Sequence, residues 1–186
     1  MPQDKAAMRA GISAAVAALP PARRALEEEV VQAAIQDTPA WRQATTVALY
    51  AAKAPEFSVV ALTLAAWRDG KRTLFPRVAG PRKLEFCPVA AWHEFQTGAF
   101  GLREPAAGPG VSLSDIDLCI VPGVAFDEGR RRLGRGSGFY DAVIPALATS
   151  WGVGFDCQLV TAVPWEAHDA TVSDVWTCRR KRLLDS

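Results

Sequence analysis

Residues 132–141 read RLGRGSGFYD and hold more usable chemistry than any other stretch of the chain. Gly134, Gly136 and Gly138 alternate with Arg135 and Ser137; Arg132 precedes them, and Phe139, Tyr140 and Asp141 follow. Glycine admits positive φ and leaves no side chain in the way, so successive backbone N–H groups can converge on an anion. Arg132 and Arg135 add guanidinium donors whose fork matches a phosphate edge. A helix opening near Phe139 would add its partial positive charge. The chemistry indicated is phosphate binding. Two generic nucleotide loops do not fit: the chain lacks the GK[ST] ending of a P-loop, and Phe139 stands where GxGxxG needs its last glycine. An exposed hairpin rich in glycine and arginine fits the same residues, so spacing alone leaves a phosphate loop and a structural loop both open.

The flanking elements suit the first reading. DLCIVPGVAF supplies an apolar strand before the loop, and FYDAVIPALATS reads as at least partly helical despite Pro145. Upstream, DKAAMRAGISAAVAAL is an alanine-rich helix that must stop at Pro20-Pro21. ARRALEEEVVQAAI follows, with Leu26, Val30, Ala33 and Ala34 on one face. TTVALYAA is strand-like, and SVVALTLAAWRDG is a helix closed by Gly70. RTLFPRV, KLEFCPV, WGVGFD and DVWTCRR complete the strands. Alternating strands and helices predict an α/β domain with helices over a mainly parallel sheet.

Composition narrows the function classes. Apolar residues make up 49% of 186, enough for a sizeable core in one domain spanning 1–186 and against general disorder. The net charge of +1 gives no bulk field toward nucleic acid or an anionic membrane, so anion binding must come from the clusters Arg130–Arg135 and Arg179–Arg182. No segment approaches the ~20 apolar residues of a membrane span. The N-terminus lacks the apolar region of a secretory signal, and Cys87, Cys119, Cys157 and Cys178 show no CxxC spacing. A cytoplasmic protein with reduced, buried thiols is expected.

The longer string VPGVAFDEGRRRLGRGSGFYD resembles the signature of the 5-formyltetrahydrofolate cyclo-ligase family, in which PG-x-x-F-D precedes RLG-x-G-x-G, two aromatics and an aspartate. Lys5 and Arg9 resemble the family's N-terminal K-x-x-x-R, and Glu56, six residues after Tyr50, resembles its folate-contacting acid. FPRV (75–78), GAFGLREP (98–105), GFDCQ (154–158) and VPWEAHD (163–169) resemble further family segments, so the likeness runs along almost the whole chain. Two departures stand out. Arg130 occupies the usual glycine position, with Gly129 one place early, and Cys178 stands where an acid is common.

The resemblance implies a three-layer α/β/α domain of the sugar-isomerase/CoA-transferase kind. It implies conversion of 5-formyltetrahydrofolate to 5,10-methenyltetrahydrofolate with ATP as co-substrate and magnesium as cofactor, in a monomer without nucleic-acid or membrane partners. The ATP site it implies is Lys5, Arg9, Arg132, Leu133, Gly134, Arg135, Gly136, Ser137, Gly138, Phe139 and Tyr140. The folate would meet Glu56, Arg135, Gly136, Ser137, Gly138 and Phe139. Arg132, Arg135 and Tyr140 are the candidate catalytic residues, and Asp141 and Asp169 the candidate magnesium ligands. A homologue that binds nucleotide or folate without turnover is the alternative. Residue by residue, simpler readings also stand: Asp141 as a helix cap, Glu56 as a helix opener, Lys5 and Arg9 as a solvated face, and His168 as a surface residue instead of a base.

Overall fold

The computed structural model describes residues 4–98, 101–106 and 108–180. The chain opens with α1 (Lys5–Ala18), where the Asp4 carboxylate caps the helix by accepting from the Ala6 N–H at 2.9 Å. Leu19 precedes a proline and turns extended, so α1 ends there. Pro21 then sits at the first turn of α2 (Pro21–Gln36), where its missing N–H costs nothing. Next come α3 (Pro39–Gln43), β1 (Thr46–Ala48), α4 (Val60–Arg68), β2 (Arg72–Gly80) and β3 (Lys83–Pro88). α4 ends as expected at Gly70, whose φ of +69° lets Lys71 N–H reach back to Ala66 C=O at 2.9 Å. A short hairpin of β4 (Phe95–Thr97) and β5 (Arg103–Pro105) leads to β6 (Leu118–Val121).

DLCIVPGVAF divides. Pro122 ends β6, and the chain turns out of the sheet into β7 (Ala125–Asp127), which pairs with β8 (Arg132–Leu133). A side chain at Gly123 or Gly152 would collide with the Phe126 ring, which lies flat over both and seats β7 on the main sheet. Then follow α5 (Phe139–Val143), a single 3₁₀ turn through Pro145, β9 (Ser150–Val153), β10 (Leu159–Val160) and β11 (Asp174–Trp176).

The main sheet has the order β11-β9-β6-β1-β2-β3, parallel throughout except for β3. Residues alternate between its faces. Val47, Leu49, Leu118 and Ile120 meet α1–α4 on one side, while Ala48, Cys119 and Val121 meet Phe126, Val143 and Ile144 on the other. The expected mixed α/β architecture with a mainly parallel sheet is present. The second face is covered by α5, the 3₁₀ turn and a small sheet in the order β10-β7-β8. No helix among the described residues is long and apolar enough to cross a membrane.

The inward face of α2 is rotated from the expected one: Val30 and Ala34 meet the core as expected, but Leu26 and Ala33 do not. Leu26 is 51% exposed, whereas Glu27, Val31, Gln32, Ala34 and Ile35 are buried. The two polar residues are drawn inward by backbone donors: Gln32 accepts from the Leu62 N–H at 3.1 Å, and Glu27 from the Asp156 N–H at 2.7 Å. Reading charge as exposure therefore rotates this helix wrongly.

Candidate functional site

Strand order reverses between β1 and β6: the chain leaves β1 for β2 on one side and returns as β6 on the other. Carboxyl ends of parallel strands at such a reversal splay apart and open a crevice. A cavity of about 360 Å³ lies there. Tyr50 and Ala51 after β1 and Pro122 and Gly123 after β6 form its floor. One wall is Pro76, Val78, Leu84 and Leu102; the other is Arg132, Gly134, Arg135, Ser137, Gly138, Phe139 and Tyr140.

The glycine loop is thus a cavity wall. Gly136 and Gly138 have φ of +105° and +68°, conformations that L side chains resist, so those two glycines are a backbone requirement, whereas a Cβ on Gly134 would collide with Arg132. Arg132 is nearly buried. Its Nη1 donates to Pro122 C=O at 3.2 Å and its Nη2 to Asp141 Oδ1 at 3.0 Å, joining the end of β6 to α5. Its plane lies 5.6 Å from the Tyr140 ring centroid. Leu133 is a core residue packed with Ala125 and Val163 and does not line the cavity. Arg135 reaches across the cavity mouth to Glu56 at 2.9 Å. The second Glu56 oxygen accepts from the Lys53 N–H at 2.8 Å, and Tyr50 Oη donates to Phe57 C=O at 2.6 Å, fixing the segment that presents Glu56.

From α1, Arg9 Nε donates to Gly134 C=O at 2.8 Å, an approach spanning 125 positions of sequence. Lys5, one turn earlier, pairs with Asp169 at 2.6 Å and Glu166 at 2.9 Å. These residues are more than a solvated helix face. Burial opposes the Lys5 ammonium, but its two carboxylate partners outweigh that and raise its pKa. Burial likewise pushes the Asp169 carboxyl up, while hydrogen bonds from Lys5 and the Glu166 amide more than reverse it and leave it low. The N–H of Ala170, next along from Asp169, points at Asp141 Oδ1 at 3.4 Å. The two aspartates therefore belong to adjoining segments. Asp141 lies in the first turn of α5, whose capping position is Gly138, so it is not a helix cap.

Tyr140 presents its ring to the cavity and packs edge-on against Phe86, with its hydroxyl buried behind it and without a protein partner. Burial holds that phenol well above its ordinary pKa. His168 is exposed and approaches Glu166 and Asp169 only at 3.7 Å, as a surface residue would. Cys87, Cys119 and Cys178 are buried and Cys157 is half-buried, all four outside any disulfide. Among the described residues, one trio of side chains has metal-ligand proximity: Glu27, Asp156 and Cys178. Glu27 there accepts from Arg23 and from the Asp156 amide, so the trio docks α2 onto the segment after β9.

None of the expected site residues lies in the apolar wall. FPRV and GAFGLREP mark the segments, and Pro76, Val78 and Leu102 prove to be their contribution; Ala99 and Phe100 lie outside the described residues. Leu84 could have been found from the two-residue alternation of β3, because it pairs with Val78 across the hairpin.

Comparisons with known proteins give the chain a family. The 5-formyltetrahydrofolate cyclo-ligase family model matches residues 1–178. The 5-formyltetrahydrofolate cyclo-ligase of Escherichia coli is 34% identical over 153 residues, covering 72% of this chain and 81% of the relative. That of Mycolicibacterium smegmatis is 32% identical over 145 residues, covering 73% and 74%. The solved structure of Aquifex aeolicus 5,10-methenyltetrahydrofolate synthetase superposes with a TM-score of 0.82 at 28% identity, covering 92% of this chain and 88% of that one.

Proposed function

The chain belongs to the 5-formyltetrahydrofolate cyclo-ligase family, and we propose that its cavity carries that family's reaction, closing 5-formyltetrahydrofolate to 5,10-methenyltetrahydrofolate at the expense of ATP. One observation carries the reading. The glycine loop that can bind phosphate is also one wall of an apolar slot sized for a flat heterocycle, so the two substrates would meet along Ser137–Tyr140.

The chemistry needs that contact. A formyl amide oxygen is a weak nucleophile and, unmodified, a very poor leaving group. Transfer of the terminal phosphoryl group of ATP to it gives an imidate phosphate. The neighbouring folate nitrogen then attacks the same carbon, phosphate departs, and the nitrogen gives up its proton. Such a reaction asks for positioning and charge stabilisation, with no covalent nucleophile on the protein. Arg9, Arg135 and the amides of Gly134–Gly138 would bind the triphosphate. Glu56 would accept the N–H donors of the pterin edge, and Phe139 and Tyr140 would wall it through their rings. Pro76, Val78, Leu84 and Leu102 would keep water from the imidate phosphate.

Asp141 and Asp169 fit a magnesium ion, since each keeps one carboxylate oxygen outside its strongest contact and hard cations prefer such oxygens. The ion would offset polyphosphate charge. Arg132 would hold Asp141 in place. We read residues 1–186 as one domain, which the pairing of β11 with β9 and the reach of α1 to the loop support, and propose a monomeric cytoplasmic protein of the sugar-isomerase/CoA-transferase kind. Pure protein mixed with ATP, magnesium and 5-formyltetrahydrofolate should yield methenyl absorbance and equimolar phosphate. Absence of ATP-dependent product at ample protein would overturn the reading.

A further inference from the structure

Guanidinium groups pack against every glycine of the alternating set. A Cβ built on Gly134 would lie 2.7 Å from Arg132 Nη1, one on Gly136 3.8 Å from Arg9, and one on Gly138 3.2 Å from both Nε and Nη2 of Arg82. Arg132 is neutralised by Asp141, and Arg135 by Glu56. Arg9 spends one N–H on Gly134 C=O, but neither it nor Arg82 forms an ion pair among the described residues. Two cations without counter-charge thus stand at the two ends of an amide-rich loop. Arg82 comes from the tip of the β2–β3 hairpin, just past the register shift between Val78 and Gly80, and its own φ is +53°. A non-glycine residue held left-handed costs about 1 kcal/mol. Folding alone gains nothing from bringing that exposed cation to a loop already rich in arginine, whereas an oxyanion on the loop would supply the missing charge.

We propose that Arg82 is a further substrate-binding residue, donating to a phosphoryl oxygen of the nucleotide at the Gly138 end of the loop. The end of the loop follows from the cavity. Arg9 marks Gly134–Gly136, while Gly138 adjoins Phe139, Tyr140 and the apolar wall. A polyphosphate laid along the loop therefore has its transferable group beside Arg82. The inference rests on the cyclo-ligase reading. A carboxylate on the folate tail offers the same oxyanion chemistry, and the experiment separates the two sources.

Arg82→Ala and Arg82→Lys would be titrated calorimetrically with a non-hydrolysable ATP analogue and with ADP, both with magnesium, and assayed for turnover. Arg82→Ala should bind the ATP analogue about 10-fold more weakly with ADP affinity unchanged, and lose about 10- to 100-fold in kcat, in line with a charge-assisted hydrogen bond. The KM for 5-formyltetrahydrofolate should hold, and lysine should recover part of the loss. A raised folate KM with intact analogue binding would move Arg82 to the folate tail and overturn the assignment. Wild-type values throughout would make it a surface charge and overturn it equally. Wild-type protein that binds the analogue but forms no methenyl product would overturn the cyclo-ligase reading while leaving the Arg82 comparison readable. Wild-type protein that binds no analogue would overturn both.

Discussion

On one face of the central sheet, α2 and α4 lay regular helix over Val47, Leu49 and Ile120. On the other, the five-residue α5, the 3₁₀ turn after it and Phe126 of β7 cover Ala48 and Val121, and the glycine loop leads into α5. The difference has a physical origin. A regular helix spends its amide groups on itself and has only side chains to offer, whereas a glycine loop leaves N–H groups for a ligand. The helical face can hold the sheet rigid but cannot cradle a phosphate. The irregular face can, provided the sheet beneath it does not move. Substitutions on the helical face should therefore cost stability and spare turnover per folded molecule, and substitutions on the loop face the reverse.

The strongest test lies under the helices. Trp41 is buried within the α1–α4 core, and Trp41→Ala should lower unfolding free energy by about 3–5 kcal/mol. Denaturant titration would measure that, and kcat at a temperature where the variant is folded should match wild type. On the loop face, Asp141→Asn keeps an acceptor for Arg132 but removes the charge. Turnover should fall about 100-fold, equivalent to about 2.7 kcal/mol in the barrier, with a weakened magnesium requirement and a smaller change in thermal midpoint. A variant that loses stability and keeps turnover would erase the distinction between the faces.

These faces were not equally legible in the sequence. On the helical side α1, α2, β1 and α4 follow from period and punctuation: Pro20-Pro21, Gly70 and the alternation of TTVALYAA place them with little help from tertiary contacts, while the single-turn α3 carries no such signal. Even there, Glu27 and Gln32 turned the expected face of α2 part of the way round, because backbone donors from distant segments are invisible locally. The loop side showed its chemistry through glycine and arginine spacing, and its identity through resemblance to a family. Its geometry was hidden. That Arg9 would find Gly134, that Arg135 would find Glu56, and that Arg82 would come to Gly138 all depend on crossings fixed by sheet order. The split of DLCIVPGVAF into two sheets turns on Pro122 and on Phe126 lying over Gly123 and Gly152.

Two smaller effects sharpen the contrast. At the opposite end of β6 from the cavity, the Asp117 carboxylate accepts from the Thr46 and Thr45 amides and the Thr45 hydroxyl, and these bonds hold its pKa below the ordinary value. A depressed carboxylate stabilises the fold above its unfolded pKa, and that contribution is lost as pH falls through the folded value. Because the group is largely exposed, Asp117→Asn should cost only about 1 kcal/mol at neutral pH. The difference from wild type should vanish well below pH ~4, where both side chains are neutral, as thermal melts across pH would show. The smallest effect concerns Arg130, which stands where the family usually has glycine and takes a φ of +65°. The turn is kept, with Arg130 N–H donating to Asp127 C=O at 3.0 Å. Arg130→Gly should therefore stabilise by about 0.5–1 kcal/mol in denaturant titrations, with kinetics unchanged.

The attachment of α1 has a consequence for its local opening. Within that helix only Val16, near the end, is buried, and the forward half is held by Lys5 against Asp169 and Arg9 against Gly134. Polar tethers of this kind release at lower free energy than a packed apolar face, so amide hydrogens around residues 8–12 should exchange with solvent sooner than those of α2. The same tethers belong to the ligand-binding wall. A bound nucleotide would slow that exchange, and the first turns of the chain would report occupancy of a cavity whose floor lies at residues 50 and 122.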